Sequence, residues 1–409
     1  MTFFLKKYLI FCFVLLIPII CDAQTVNQGM FSVEPGTQLS TIEKFKNDVS
    51  GDFVNDGELF LYNHFENDGY FGFSPNLSSG IVRFRGQQGY QNIVGNLPID
   101  LNNVEFNNVS DKYAFRVSND IAVFGKVDFQ KGIVKSDPLL GSLVFEDGAT
   151  CFNADDDSYV EGLVEKKGND SFVFPIGQNS KYRLAGITAP ETINDAYTQK
   201  YVLDNPNAIY PFSNKEASIE VINNKEYWVF ERVAGKADVI LTLSWDETTT
   251  PSELTSGSDE SLHIVRWDAN KKLWVDQGGV VDKGDKTVTS PVEVTGYGVF
   301  TIARVVDSSS DNIIVNNAIS PNGDGKNDYL KFQGLIGEDN TVEIYNRWGT
   351  KVYETKAYDT NGNVFSGYSE SSMTIDKSAK LPVGTYFYVL TYKKSGKTTK
   401  KVGYLYINL

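Results

Sequence analysis

Cysteine is nearly missing from this chain. Three occur in 409 residues, and Cys12 and Cys21 fall in an apolar leader, so only Cys151 is left for the mature protein. No intramolecular disulfide can form, and stability must come from burial. Cys151 stands beside Phe152 and reads as a packed thiol rather than a reactive one. Histidine is rarer still: His64 and His263 are the only two, and without cysteine partners neither supports a zinc site. A Ser-His-Asp triad needs one histidine and survives the count, but no Gly-x-Ser-x-Gly elbow frames a nucleophile. Glycine-rich phosphate loops opening a helix are absent. Long amphipathic helical periods are absent too; the stretch 41–49 would supply two turns at most.

Positive charge is also short, with 38 Lys and Arg against 52 Asp and Glu, a net of −14. The deficit is uneven. Residues 24–312 hold 24 basic against 42 acidic side chains, a net of −18, while 313–409 hold 12 against 9, a net of +3. An acidic body disfavours nucleic acid and anionic lipid surfaces.

The one long apolar run lies at the start. Lys6 and Lys7 form a positive n-region, 8–20 an apolar core, and Cys21-Asp22-Ala23 a small-ended site before Gln24. This is the pattern of a secretory signal peptide over 1–23, cut between Ala23 and Gln24. A membrane anchor needs about 20 apolar residues, and this run is shorter and carries Pro18. A lipoprotein cut before Cys21 is disfavoured by the bulky Ile20. The remaining 386 residues are enough for two or three domains.

What is abundant is aromatic and turn-forming: 26 Phe, 22 Tyr and 35 Gly. With turn signals every eight to twelve positions, this composition predicts an all-β protein. From Phe53 to Ala149 short apolar runs recur between Asn, Asp and Gly. Asn103-Val104-Glu105-Phe106-Asn107, followed by Val123-Phe124-Gly125-Lys126-Val127-Asp128-Phe129, resembles the rungs of a parallel β-solenoid, where alternate apolar residues pack on the next coil. At roughly 20–25 residues per coil this segment supplies about four coils. A plain antiparallel sandwich would show the same strand spacing. The expected solenoid-like domain spans 24–165.

Further on, Tyr227-Trp228-Val229-Phe230, Val239 to Trp245, Leu262 to Trp267, Leu273-Trp274-Val275 and Gly298 to Ile302 alternate with period two. They predict an immunoglobulin-like β-sandwich over 166–305. Between the two, Ser158-Tyr159-Val160-Glu161-Gly162, Phe172 to Gly177 and Tyr182-Arg183 resemble a junction of secreted proteins from gliding Bacteroidetes, in which a solenoid meets a sandwich. A polar linker, 306–312, follows.

Four motifs then appear in order. They are Ser320-Pro321-Asn322-Gly323-Asp324-Gly325 with Asn327 and Asp328; Asn346-Arg347-Trp348-Gly349; Gly384-Thr385-Tyr386; and Gly403 to Ile407. Together they resemble the type B C-terminal sorting domain of type IX secretion substrates, also called the gliding motility-associated C-terminal domain, over 313–409. Where that family shows Trp-Asp-Gly, this chain has Phe365-Ser366-Gly367. The resemblance implies a β-sandwich sorting domain and export across the outer membrane to the cell surface or medium. The type IX translocon and an outer-membrane protein of the PorP/SprF type are the implied partners. Asn361-Gly362 and Ser395-Gly396 read as tight turns. Leu405, Ile407 and Leu409 fall on one strand face, Tyr404 and Tyr406 on the other.

No catalytic residue stands out. Asn322, Asp324 and Asp328 space their oxygens like the start of a calcium loop, but Lys331 occupies the twelfth position where an EF-hand needs Glu. A weaker calcium site on those three residues and an Asx-rich turn that binds nothing both remain open. Asp155-Asp156-Asp157 reads as a solvated loop. Tyr70, Phe71, Phe73, Tyr90 and Tyr210 are candidates for a sugar-stacking surface, against the plainer reading that they are core. The leading expectation is a non-enzymatic secreted or surface protein, adhesin-like or structural and linked to gliding motility, with a glycan or a surface protein as ligand and no cofactor. A polysaccharide hydrolase or lyase on a β-helix is one alternative; an accessory of the export or motility machinery is another.

Overall fold

The computed structural model describes residues 23–136, 141–294, 296–306, 313–335, 339–346, 350–369, 380–394 and 397–408. The expected leader before Ala23 lies outside them. Helix is confined, among the described residues, to Ser252–Thr255 and the 3-10 turns Pro206–Ala208 and Asp259–Ser261.

The first domain is a parallel β-solenoid with three faces. One face stacks Gln24–Asn27, Lys44–Asn47, Phe65–Asn67, Gln91–Gly95, Phe115–Ser118, Val134–Ser136 and Val160–Glu161. Another stacks six strands from Gln38–Thr41 to Thr150–Phe152. The third begins at Met30–Val33 and ends at Val164–Lys167. This makes about six turns; the four expected were counted over 53–149 alone, and strands before and after that stretch complete the rest. The stretch 41–49 is no helix: Lys44–Asn47 is a strand in register with Gln24–Asn27 and Phe65–Asn67.

In-register stacking places like on like. Val104 and Phe106 pair with Val127 and Phe129, as the rung pattern predicts. Phe84, Phe106 and Phe129 stack at 5.6 and 5.8 Å between ring centres, and all are fully buried. Phe31, Phe53 and Phe71 form a second ladder at 5.3 and 5.0 Å. Burying each such ring contributes about 2–3 kcal/mol, which offsets the ordering cost of a short rung. At one corner the ladder is polar. Asn27 Nδ2 donates to Asn47 Oδ1, and Asn47 Nδ2 donates to Asn67 Oδ1, both at 2.9 Å. The ladder stops at Gly95, the register partner of Asn67, because a Cβ there would sit 1.9 Å from the Asn67 carbonyl oxygen. Asn67 Nδ2 turns instead to the Leu97 and Pro98 carbonyls.

The solenoid does not end in a loop. Val164–Lys167, the last strand of its third face, pairs antiparallel with Ala196–Val202. The sheet then continues through Tyr227–Ala234, Gly298–Val305, Leu262–Asp268 and Leu273–Asp276. A second sheet of Phe172–Phe174, Ala185–Ile187, Leu241–Ser244, Thr287–Thr289 and Val280–Asp282 packs on it to make the sandwich. The boundary expected at 165/166 therefore falls inside a shared strand, and one hydrophobic core runs from Val33 to Ile302.

The sandwich also buries charge. Glu226 is fully buried and accepts from the Tyr201 hydroxyl at 2.6 Å and the Thr250 hydroxyl at 2.5 Å. Arg183, from the expected junction, lies 3.9 Å from Glu226 and donates to Thr249 Oγ1 at 2.9 Å. Tyr159 of the same junction is buried, and its hydroxyl accepts the Ser180 amide at 2.8 Å.

Candidate functional site

The last domain is a five-stranded sheet in the order Ala318–Ile319, Lys397–Ile407, Gly384–Lys394, Asn340–Asn346 and Lys351–Lys356. A two-stranded pair, Ile314–Val315 with Phe332–Gln333, packs on it through Phe332, which meets Tyr388 at 5.2 Å. Its backbone is one long hairpin in unbroken register from Gly384↔Ile407 to Lys394↔Lys397. Leu405 and Ile407 are fully buried while Tyr404 and Tyr406 are exposed, the alternation expected of the final strand. Leu409 and the Ser395-Gly396 turn lie outside the described residues.

Three motifs far apart in sequence meet at one corner. Ile319, just before Ser320-Pro321, pairs parallel with Ile407 of the final strand. Gly367 has a φ of 78°, and a Cβ on it would meet Pro321 Cγ at 3.0 Å. Lys380 Nζ donates to the Pro321 carbonyl at 3.0 Å. Phe365 fills the apolar slot expected of it: it is buried against Tyr353, with ring centres 5.0 Å apart. Its amide donates to the Tyr358 hydroxyl at 2.8 Å, and that hydroxyl donates to the Leu330 carbonyl at 2.7 Å. Burial raises the Tyr358 phenol well above its ordinary range, so it stays a neutral donor.

The opening loop satisfies itself. Asp328 accepts the Gly323 amide on one carboxylate oxygen and the Gly325 amide on the other, both at 2.8 Å. Asn322 Oδ1 accepts the Asp324 amide at 3.0 Å, and Asp324 Oδ1 accepts the Lys326 amide at 2.7 Å. A cation on Asn322, Asp324 and Asp328 would have to compete with these four backbone donors. Ser320 donates its amide to the Asn327 carbonyl at 2.7 Å, closing the loop base. Asn346 Oδ1 accepts the Thr350 amide at 2.9 Å. Arg347, Trp348 and Gly349 lie outside the described residues. Gly384 starts the hairpin at φ 153°, and Tyr386 is buried with its hydroxyl on the Pro382 carbonyl at 2.9 Å.

The other candidates do not converge. Phe71 is core, Tyr70 is exposed, and Phe73 meets Phe124 edge-on at 5.4 Å. Tyr90 lies between His64 and Arg116, whose guanidinium carbon stands 3.5 Å from the ring centre. Tyr210 belongs to a separate aromatic group on the sandwich, 5.6 Å from Trp267. His64 accepts the Asn92 amide on Nδ1 at 3.1 Å, and burial, followed by nearby Lys44, lowers its pKa. His263 Nδ1 pairs with Asp276 at 2.8 Å. Asp155, Asp156 and Asp157 are engaged separately, by the Asp157 amide, the Tyr182 amide and Lys131. Cys151 faces the Val173 carbonyl at 3.5 Å, and burial pushes its thiol up to about 12.

Sequence reasoning missed two features of the solenoid exterior. A cleft of about 480 Å³ lies between the turn at Tyr62 and Asn63 and the loop at Gln87 and Gln88, with Ser40 and Glu43 on its rim. On the same flank Glu105 is 4 % exposed, bonded by Arg83 and, at 2.7 Å, by Arg85 Nε. Burial pushes the Glu105 carboxyl up, but the two arginines outweigh it and hold it below the ordinary range. The only sequence signal was the alternation Arg83-Phe84-Arg85 one coil before Glu105.

No curated protein and no solved structure matches the chain. Residues 313–407 match the family model of the CHU_C type IX secretion signal domain, so this part of the chain is a C-terminal sorting domain of that family, and the protein is exported across the outer membrane by the type IX secretion machinery.

Proposed function

We propose that the exported body is a non-enzymatic adhesin-like or structural module, displayed at the cell surface and linked to gliding motility. The supporting observation is a sorting domain attached to a long β body whose coils bury aliphatic and phenylalanine side chains and leave Tyr62, Tyr70 and Tyr90 at least partly exposed. The cleft beside Tyr62 suits a glycan. Tyr62, Asn63, Gln87 and Gln88 line it together, residue types that stack on sugar rings and hydrogen-bond to sugar hydroxyls. In this reading a leader cut at Ala23/Gln24 takes the chain through the inner membrane, and an outer-membrane PorP/SprF-type protein receives the sorting domain.

The test is binding of the exported protein to a panel of neutral and acidic polysaccharides, alongside turnover assays on the same panel. Binding without turnover, weakened about tenfold or more by Tyr62→Ala, supports the proposal. Turnover abolished by a single carboxylate substitution would overturn it.

A further inference from the structure

The two ends of the solenoid are finished differently. At one end the antiparallel strand Ala196–Val202 pairs with the last coil and the sandwich core continues the solenoid core. At the other, Gln24–Asn27, Met30–Val33 and Gln38–Thr41 each bond to the second coil on one side only. Among the described residues nothing pairs with their outer edges. Phe31 is 44 % exposed, whereas its ladder partners Phe53 and Phe71 are each 1 % exposed, so the open end uncovers the solenoid's interior row.

Open edges are normally guarded by charge, proline or a bulge, because unpaired N–H and C=O groups recruit other strands. These three edges have no such guard. Their sequences are QTVN, MFSV and QLST, without a charged residue or proline, and their pairing to the second coil runs in uninterrupted register. The strands of the next coil, KFKN, DFVN and ELFL, carry Lys44, Lys46, Asp52 and Glu58. The Asn ladder ends here as well: Asn27 Oδ1 takes only the Gly29 amide at 3.4 Å.

From this end we infer that two copies of the chain associate head to head through their first coils. A lone strand from another partner would satisfy one edge and leave two. A second first coil satisfies all three, because the edge strands are each four residues long. A two-fold axis across the solenoid lays Gln24–Asn27 antiparallel on its counterpart. It also lays Met30–Val33 on Gln38–Thr41 of the second copy, and the reverse. The interface is then isologous and closes at two copies. Charge favours the same arrangement, since two mature chains of net −15 (−14 less Lys6, Lys7 and Asp22 of the leader) meet here on strands without a charged side chain.

Sedimentation velocity of the exported protein, over a concentration series up to roughly 50 µM, tests this. A monomer–dimer equilibrium is expected, with Thr25→Lys weakening it by at least about tenfold, because Thr25 is exposed and each copy would bring a like charge to the joint. Hydrogen exchange on the unmutated protein provides a check that no variant can confound. Amides in 24–41 should gain protection as concentration rises. A monomer throughout the series, a dimer that Thr25→Lys leaves unchanged, or exchange in 24–41 independent of concentration would each overturn the inference.

Discussion

At the scale of single residues the solenoid depends on repeated side chains, each holding the next. Asn47 links three rungs: it accepts from Asn27, and it donates to Asn67 and to the Tyr70 carbonyl at 2.7 Å. Asn47→Ala leaves the buried Asn67 Oδ1 and the half-buried Asn27 Nδ2 without this partner, so a loss of about 1–3 kcal/mol is expected. Hydrogen exchange in the first three coils measures it. Phe106→Ala removes a ring stacked between Phe84 and Phe129 and should cost about 3–5 kcal/mol, read as a fall in the thermal midpoint of the body. A smaller effect has a defined pH window. Hydrogen bonds from Lys44 and then Lys46 hold the Glu66 carboxyl down to about 2. Because the folded value is depressed, the stabilisation is present above the ordinary 4.5 and lost as pH falls from 4.5 towards 2. The pair is partly exposed, so its worth is about 1 kcal/mol at most. The gap in melting temperature between the unmutated protein and Glu66→Gln should narrow across that window.

At the scale of elements, Val164–Lys167 is the important strand, because it closes the parallel stack and opens the antiparallel sheet. A fragment 24–167 would expose that edge and the core behind it, and should aggregate on expression. A fragment 24–306 keeps the cap and should stay monodisperse apart from the pairing at its first coil. Size-exclusion chromatography of both distinguishes these outcomes. Much of this layout was legible. Period-two runs marked Tyr227–Ala234 and Leu262–Asp268, and the rung pattern marked Asn103–Asn107 against Lys126–Lys131. The expected domain began at residue 24, but the strands of its first coils were not picked out, because they are short and Lys44-Phe45-Lys46-Asn47 carries one apolar residue, too little for a periodicity signal. The recurrence of Asn27, Asn47 and Asn67 at twenty-residue steps was the sign available. Arg183 and Glu226 could not have been paired in advance, since sheet topology alone brings residues 43 positions apart within 3.9 Å.

At the scale of the whole molecule, an acidic body of solenoid and sandwich carries a mildly basic sorting domain. The four sorting motifs were legible in order, and the fold gives a reason for their spacing. Pro321, Gly367 and the strand ending at Ile407 close one corner of the domain, so these motifs are brought together by folding. Gly367→Val should disturb that corner, through both its positive φ and the contact with Pro321, and should lower export without altering the thermal midpoint of the body. The most direct measurement of the central claim compares the chain with and without 313–409, scored by protease accessibility of intact cells and by fractionation of cells and medium. The account predicts that the intact chain reaches the surface or medium while the truncated chain stays within the cell envelope. Equal export of the two would contradict it.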